Sequence, residues 1–150
     1  MLSVNDLNSF CQEAIQSVSD LKAYHLIITE SHLSKCLAAH KAADSPFLVA
    51  VMPSARGAAP NEDALSWLNA LMFMVLTKPL NYTSRKQDQE LVDFQNTQEA
   101  ILAFIDFMRE KQGEDCHWLR QLNLNTLEVD PEYNMNSCDG WSLTFDAKTQ

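Results

Sequence analysis

Glycine is scarce. Gly57, Gly113 and Gly140 are the three in the chain. Neither a GxGxxG dinucleotide turn nor a P-loop can be built from them, since both need clustered glycines for backbone to approach a phosphate. No GxSxG nucleophile elbow and no HExxH metal motif occurs either. Basic residues are also few. Lys and Arg total 11 against 20 Asp and Glu, a formal charge of -9. That excludes a broad cationic face, so no direct nucleic-acid binding is expected. It also opposes docking on an anionic membrane. The longest apolar run, Leu68–Leu76, is interrupted by Asn69 and is far shorter than the roughly 20 residues of a membrane helix. The start, MLSVNDLNSF, has neither the basic region nor the apolar core of a signal peptide. There is no CxxC. Cys11, Cys36, Cys116 and Cys138 stand far apart and read as reduced thiols acting as small hydrophobes.

What is present is ordinary globular material. The 150 residues are 46% hydrophobic and 21% charged, one domain's worth spanning 1–150. A chain of this size buries roughly 70% of its unfolded surface, enough for a core without staples.

Hydrophobic periodicity orders the elements. Val4, Leu7, Cys11, Ala14, Val18 and Leu21 form one apolar stripe, so Val4–Leu21 is read as an amphipathic helix capped by Ser3 or Asn5. Leu26–Thr29 is a β-branched run and a candidate strand. Ser31–Ala43 reads as a shorter helix with Ser31 as its cap, ended by Asp44-Ser45-Pro46. Phe47–Met52 is a continuously apolar, buried strand. Ser54–Asp63, small and polar with Gly57 and Pro60, reads as a loop. Leu71–Thr77 is read as a strand, although Trp67, Leu68, Leu71, Met72 and Val75 also suit a helix. Leu91–Lys111 is helical, with Phe104 on its apolar stripe and Gly113 as the stop. Trp118–Val129 alternates as a strand with a register change near Asn125-Thr126. Asp130-Pro131-Glu132 and Asn134–Gly140 have turn composition. Trp141, Leu143 and Phe145 alternate with polar neighbours in a closing strand that should pair antiparallel with the strand before it. The expected fold is α+β: a mostly antiparallel sheet with two long helices, on one face, and one shorter helix packed on it.

The search for chemistry returns no catalytic, cofactor-binding or metal-binding set. His32, Cys36 and His40 recur every four residues on one helix, but the first and third stand about 12 Å apart, beyond the reach of one ion. They read as a partly buried helix face. Cys116 and His117 are adjacent and would point to opposite faces of a strand. Asp130, Glu132 and Asp139 lack the EF-hand glycine and terminal glutamate, and read as a solvated turn. The feature left over is the Ser54–Asp63 loop, with Ser54, Ala55, Arg56, Gly57, Asn61, Glu62 and Asp63 as candidate interface residues. The connection Asn81–Asp88 is a second natural contact arm.

Four stretches in this order are recognisable: the first helix; FLVAVMPS at Phe47–Ser54 before a small-residue loop; LMFMVLTKP at Leu71–Pro79 leading into a long helix; and PEYNMNSCDGWSLTF at Pro131–Phe145. Gly140-Trp141 entering an alternating last strand is the most specific of them. On these residues the chain resembles small structural proteins of the neck and tail-end region of tailed phages and prophages. It is similar in element order to tail terminator proteins, which form hexameric rings capping the tail tube. The second helix also suits neighbouring head–tail joining proteins. The resemblance implies a non-enzymatic homo-oligomeric ring subunit, with other tail or neck proteins as partners, in the host cytoplasm during assembly and then in the virion. Two rival readings stay open. One is a small acidic inhibitor or adaptor that mimics nucleic acid, and the other an enzyme with a distributed site.

Overall fold

The computed structural model describes residues 1–58, 66–114 and 117–149. Its elements are α1 (Val4–Ser17), β1 (Tyr24–Ile27), α2 (Glu30–Ala39), β2 (Phe47–Gly57), β3 (Trp67–Thr77), α3 (Gln87–Gln112), β4 (Glu128–Glu132) and β5 (Asp139–Thr149). The strands form one sheet in the order β1-β2-β3-β5-β4. Only β1 and β2 run parallel; the other three pairings are antiparallel. The α+β expectation holds, with three helices on a mostly antiparallel sheet.

The helix boundaries follow local chemistry more than the apolar stripe. Ser3 caps α1: its Oγ accepts from the Asp6 N–H at 3.1 Å. The helix stops at Ser17, yet Val18 and Leu21 remain buried. The stripe therefore recorded burial and overran the helix. Thr29, not Ser31, caps α2 by accepting from the His32 N–H at 3.2 Å. The helix ends at Ala39, and a single 3-10 turn, Ala42–Asp44, follows. The Ser45-Pro46 bond is cis. α3 starts at Gln87 because the Lys86 N–H donates to Gln89 Oε1 at 3.1 Å, capping a solvated first turn that has no apolar pattern.

Both long helices lie on one face. Leu7, Phe10 and Ala14 of α1 join Ile101, Phe104 and Met108 of α3 over Leu48, Phe73, Leu143 and Phe145 of the sheet. A smaller cluster lies on the other face, where Leu37 of α2 meets Ile27, Phe47, Val49, Met74 and Leu76. In β2 and β3 alternate residues feed opposite clusters, which explains their unbroken apolar runs.

The region before β5 corrects the expectation of a strand over Trp118–Val129. Trp118–Gln121 and Leu124–Thr126 are 3-10 turns. The His117 ring accepts from the Leu119 N–H at 3.1 Å, and Asn123 Oδ1 from the Asn125 N–H at 3.1 Å. Such side-chain acceptors draw backbone into turns. The spacing of three between buried Leu119 and Leu122 fits that geometry better than alternation does. Conversely Asp130-Pro131-Glu132, expected as a turn, belongs to β4. The proline is tolerated because β4 is an edge strand. The turn that follows places Asn134, Asn136 and Ser137 in the left-handed region, at φ of 55°, 50° and 61°.

Gly140 and Trp141 have physical roles. A methyl group at Gly140 would stand 2.0 Å from the Val75 carbonyl oxygen. The approach of β5 to β3 therefore requires glycine there. Trp141 donates its indole N–H to the Phe94 carbonyl at 3.0 Å and so ties β5 to α3.

Candidate functional site

The α2 helix covers only part of its face of the sheet. β1 pairs with Leu48–Val51, and the outer edge of β2 beyond Val51 meets no described strand. There the register slips between Val51 and Ser54. On this open half, Arg56, Leu68 and Lys148 form one row across three strands, and Ser54, Ala70 and Asp146 form the next. Ser54, Arg56, Ala70 and Lys148 are exposed, while Leu68 and Asp146 are half-buried. A shallow depression runs between Arg56, Leu68 and Asp146.

This placement corrects the loop expected at Ser54–Asp63. Ser54, Ala55, Arg56 and Gly57 are the end of β2, paired with Ala70, Asn69, Leu68 and Trp67. Their small, polar composition reflects a strand with one open face and one open edge. Shortening the segment would remove ladder pairs, so it is not the neutral deletion that a loop permits. Asn61, Glu62 and Asp63 lie outside the described residues.

Asn69, which interrupts the apolar run, is wholly buried under the opposite face. Its Nδ2 donates to the Ala147 carbonyl and to Thr149 Oγ1, both at 3.0 Å, and its Oδ1 accepts from the Leu2 N–H at 3.0 Å. A buried amide so fully paired fixes the chain start and this end of β5 to β3.

The second expected contact arm, Asn81–Asp88, contains a 3-10 turn at Tyr82–Ser84 and is pinned by Arg85. The guanidinium pairs with both Asp93 and Asp139. Tyr82 Oη donates to Asp139 Oδ1 at 2.8 Å, and the Asn134 N–H donates to the same oxygen at 2.7 Å. Arg85 also lies 4.3 Å from the Tyr82 ring centroid. Burial works against the Arg85 charge, but its bonds to Asp139 and Asp93 outweigh that and raise its pKa. Burial, then the bond to Asp139, pushes the Tyr82 phenol up. Asp139 is thus fully buried and committed to Arg85, which corrects its expected place in a solvated turn with Asp130 and Glu132. A lone arginine in a polar stretch carried no signal of this role. Outside the network, exposed Leu80 and Val92 flank a groove that includes Lys86 and Asp88.

The row His32, Cys36 and His40 is not a unit. His40 caps the end of α2 and stacks on Phe47, with ring centroids 3.7 Å apart. Its Nε2 lies 3.2 Å from the Asp44 carbonyl, which can only accept, so Nε2 carries the proton. Its bare Nδ1 then accepts from His25 Nε2 at 2.9 Å. His32 instead accepts weakly from the Ile28 N–H at 3.4 Å. Burial first, then the charge of His32, lowers the His25 pKa; burial and His25 lower that of His40, against the pull of Asp44. His117 is also lowered by burial, and Cys116 lies outside the described residues. Burial raises the thiol of Cys11 to about 12 and that of Cys138 to about 11.

These histidines predict the acid response. Below the ordinary histidine pKa of about 6.5, the unfolded chain binds protons that the folded chain refuses. Stability should therefore be full above about pH 6.5 and fall as pH drops below it, until the folded histidines themselves titrate. Urea midpoints measured from pH 7.5 to 5 should show this decline, and His40→Phe should flatten it. A midpoint that rises over that interval would refute the assignment.

Among the described residues, no three His, Cys, Asp or Glu side chains stand together as metal ligands. No described helix is long and apolar enough to cross a membrane. The sequence matches no protein-family model and no curated protein.

Proposed function

We propose that the chain is a non-enzymatic virion structural subunit at the tail end or neck of a tailed phage, where copies join into a ring. One observation supports the reading most: half of one sheet face, with Arg56, Leu68, Ala70 and Lys148, has no described element over it. A subunit whose neighbour completes its fold leaves such a face when taken alone. The two sides of the sheet also differ, with a β2 edge carrying Arg56 and a β4 edge carrying Glu128, Asp130 and Glu132. Unlike surfaces meeting head to tail generate a ring when the rotation closes. The resemblance supplies the rest: a hexameric assembly, other tail or neck proteins as partners, and the host cytoplasm as the place of assembly. Both signs of charge on the sheet disfavour a nucleic-acid mimic, which needs a continuous acidic band.

The test is localisation in purified particles by cryo-electron microscopy or immunogold labelling. A ring of this protein at the tail end or neck is the expected result. Absence from mature particles, with infectious yield unchanged on gene deletion, would overturn the reading and favour the acidic inhibitor.

A further inference from the structure

Six charged side chains on or beside the open half-face form no ion pair with any described residue: Arg56, Lys148, Asp146, Glu128, Asp130 and Glu132. Apart from the half-buried Asp146, they are segregated. Arg56 and Lys148 sit in one row at the far ends of β2 and β5, with Leu68 between them. The three carboxylates alternate along β4, opposite Thr144, Ser142 and Gly140, and so share one side of that strand. Asp146, two residues from Lys148 and half-buried in the next row, is the nearest acid, yet it forms no ion pair with either base. Glu128 is the nearest acid of β4, and its partner Thr144 is four residues from Lys148 on β5. At about 3.3 Å per residue this separates the two ends by about 13 Å, too far to pair within one chain.

We infer that the occupant of the open half-face is a second copy of this chain, which presents the carboxylates of its β4 to the Arg56–Leu68–Lys148 row. The inference rests on the ring-subunit reading for its occupant and adds the two surfaces that meet. Charge complementarity supplies the argument: each copy carries a basic end and an acidic end on different strands. The contact is then heterologous, and every copy keeps one free surface of each kind until the ring closes. Leu68 adds an apolar centre, while the charges set register and reject like-to-like docking. Pro131 in β4 and Pro53 in β2 each remove a backbone donor, so side chains rather than a continuous ladder carry the contact.

The experiment reverses each end separately. One variant is Arg56→Glu/Lys148→Glu and the other Glu128→Lys/Asp130→Lys. All four side chains are exposed, so both variants should keep the wild-type melting temperature. Sedimentation velocity at low salt, up to about 1 mM chain, reads association. Wild type should associate, and each variant alone should associate at least about tenfold more weakly. An equimolar mixture should recover, because the reversed basic end of one variant matches the reversed acidic end of the other. Only rings with an even number of copies can close in that mixture, as a hexamer does. High salt should weaken the wild-type assembly. A wild-type monomer at about 1 mM, unchanged association in the variants, or a mixture that fails to recover would each overturn the inference. Its failure is separable from that of the virion role. Particle localisation with no such contact keeps the role and removes the interface; the contact without localisation does the reverse.

Discussion

Phe104→Ala is expected to lower the free energy of unfolding by about 3–5 kcal/mol. Phe104 lies on α3 with no exposed surface. Its ring is 5.2 Å from that of Phe73 on β3 and 5.9 Å from that of Phe10 on α1, measured between centroids. It therefore sits where both long helices and the sheet meet, and neighbours held by three elements cannot collapse into the space left by a truncated ring. The loss should appear in denaturant titration as a lower midpoint with an unchanged slope. A loss below about 1 kcal/mol would reject this residue as the keystone of the larger cluster.

Arg85→Met is expected to cost a similar about 3–5 kcal/mol, through a different mechanism. The Arg85 side chain is 5% exposed and that of Asp139 is 0% exposed. Removing the guanidinium leaves a carboxylate in the interior with only the Tyr82 hydroxyl and the Asn134 N–H to hold it. Its second partner, Asp93 on α3, also loses its counter-ion. The double variant Arg85→Met/Asp139→Asn should be more stable than Arg85→Met alone, because the uncompensated charge has gone. Purely additive losses would mean that the pair is not coupled. The cluster joins the β3–α3 connection to the β4–β5 turn, and so holds the groove beside Leu80 and Val92 in a fixed shape.

A reading of patterns reaches those elements whose side chains repeat with a period set by burial. The helices α1 and α3 and the closing strand at Trp141 carried such a repeat, and the strand from Phe47 an unbroken apolar run; with them came the α+β class and the pairing of both long helices with one sheet face. The pattern could not mark where a helix stops, because Val18 and Leu21 stay buried after the backbone has turned. It could not show that Ser54–Gly57 is a strand, since a strand open to solvent on a face and an edge needs no apolar residues and is defined by pairing with Trp67–Ala70. Trp118–Thr126 misled for the opposite reason: the even spacing of Trp118, Leu122 and Leu124 passed for alternation, although Leu122 is buried and Leu124 is exposed. Above all, the sequence held the separate facts of a lone Arg85, a turn-like Asp139 and scattered acids and bases. Only the tertiary structure decided which of these charges pair in the interior and which stay unpaired outside. Partnership between charges distant in the chain depends on how the sheet orders its strands, and that order is not a periodic property of any segment.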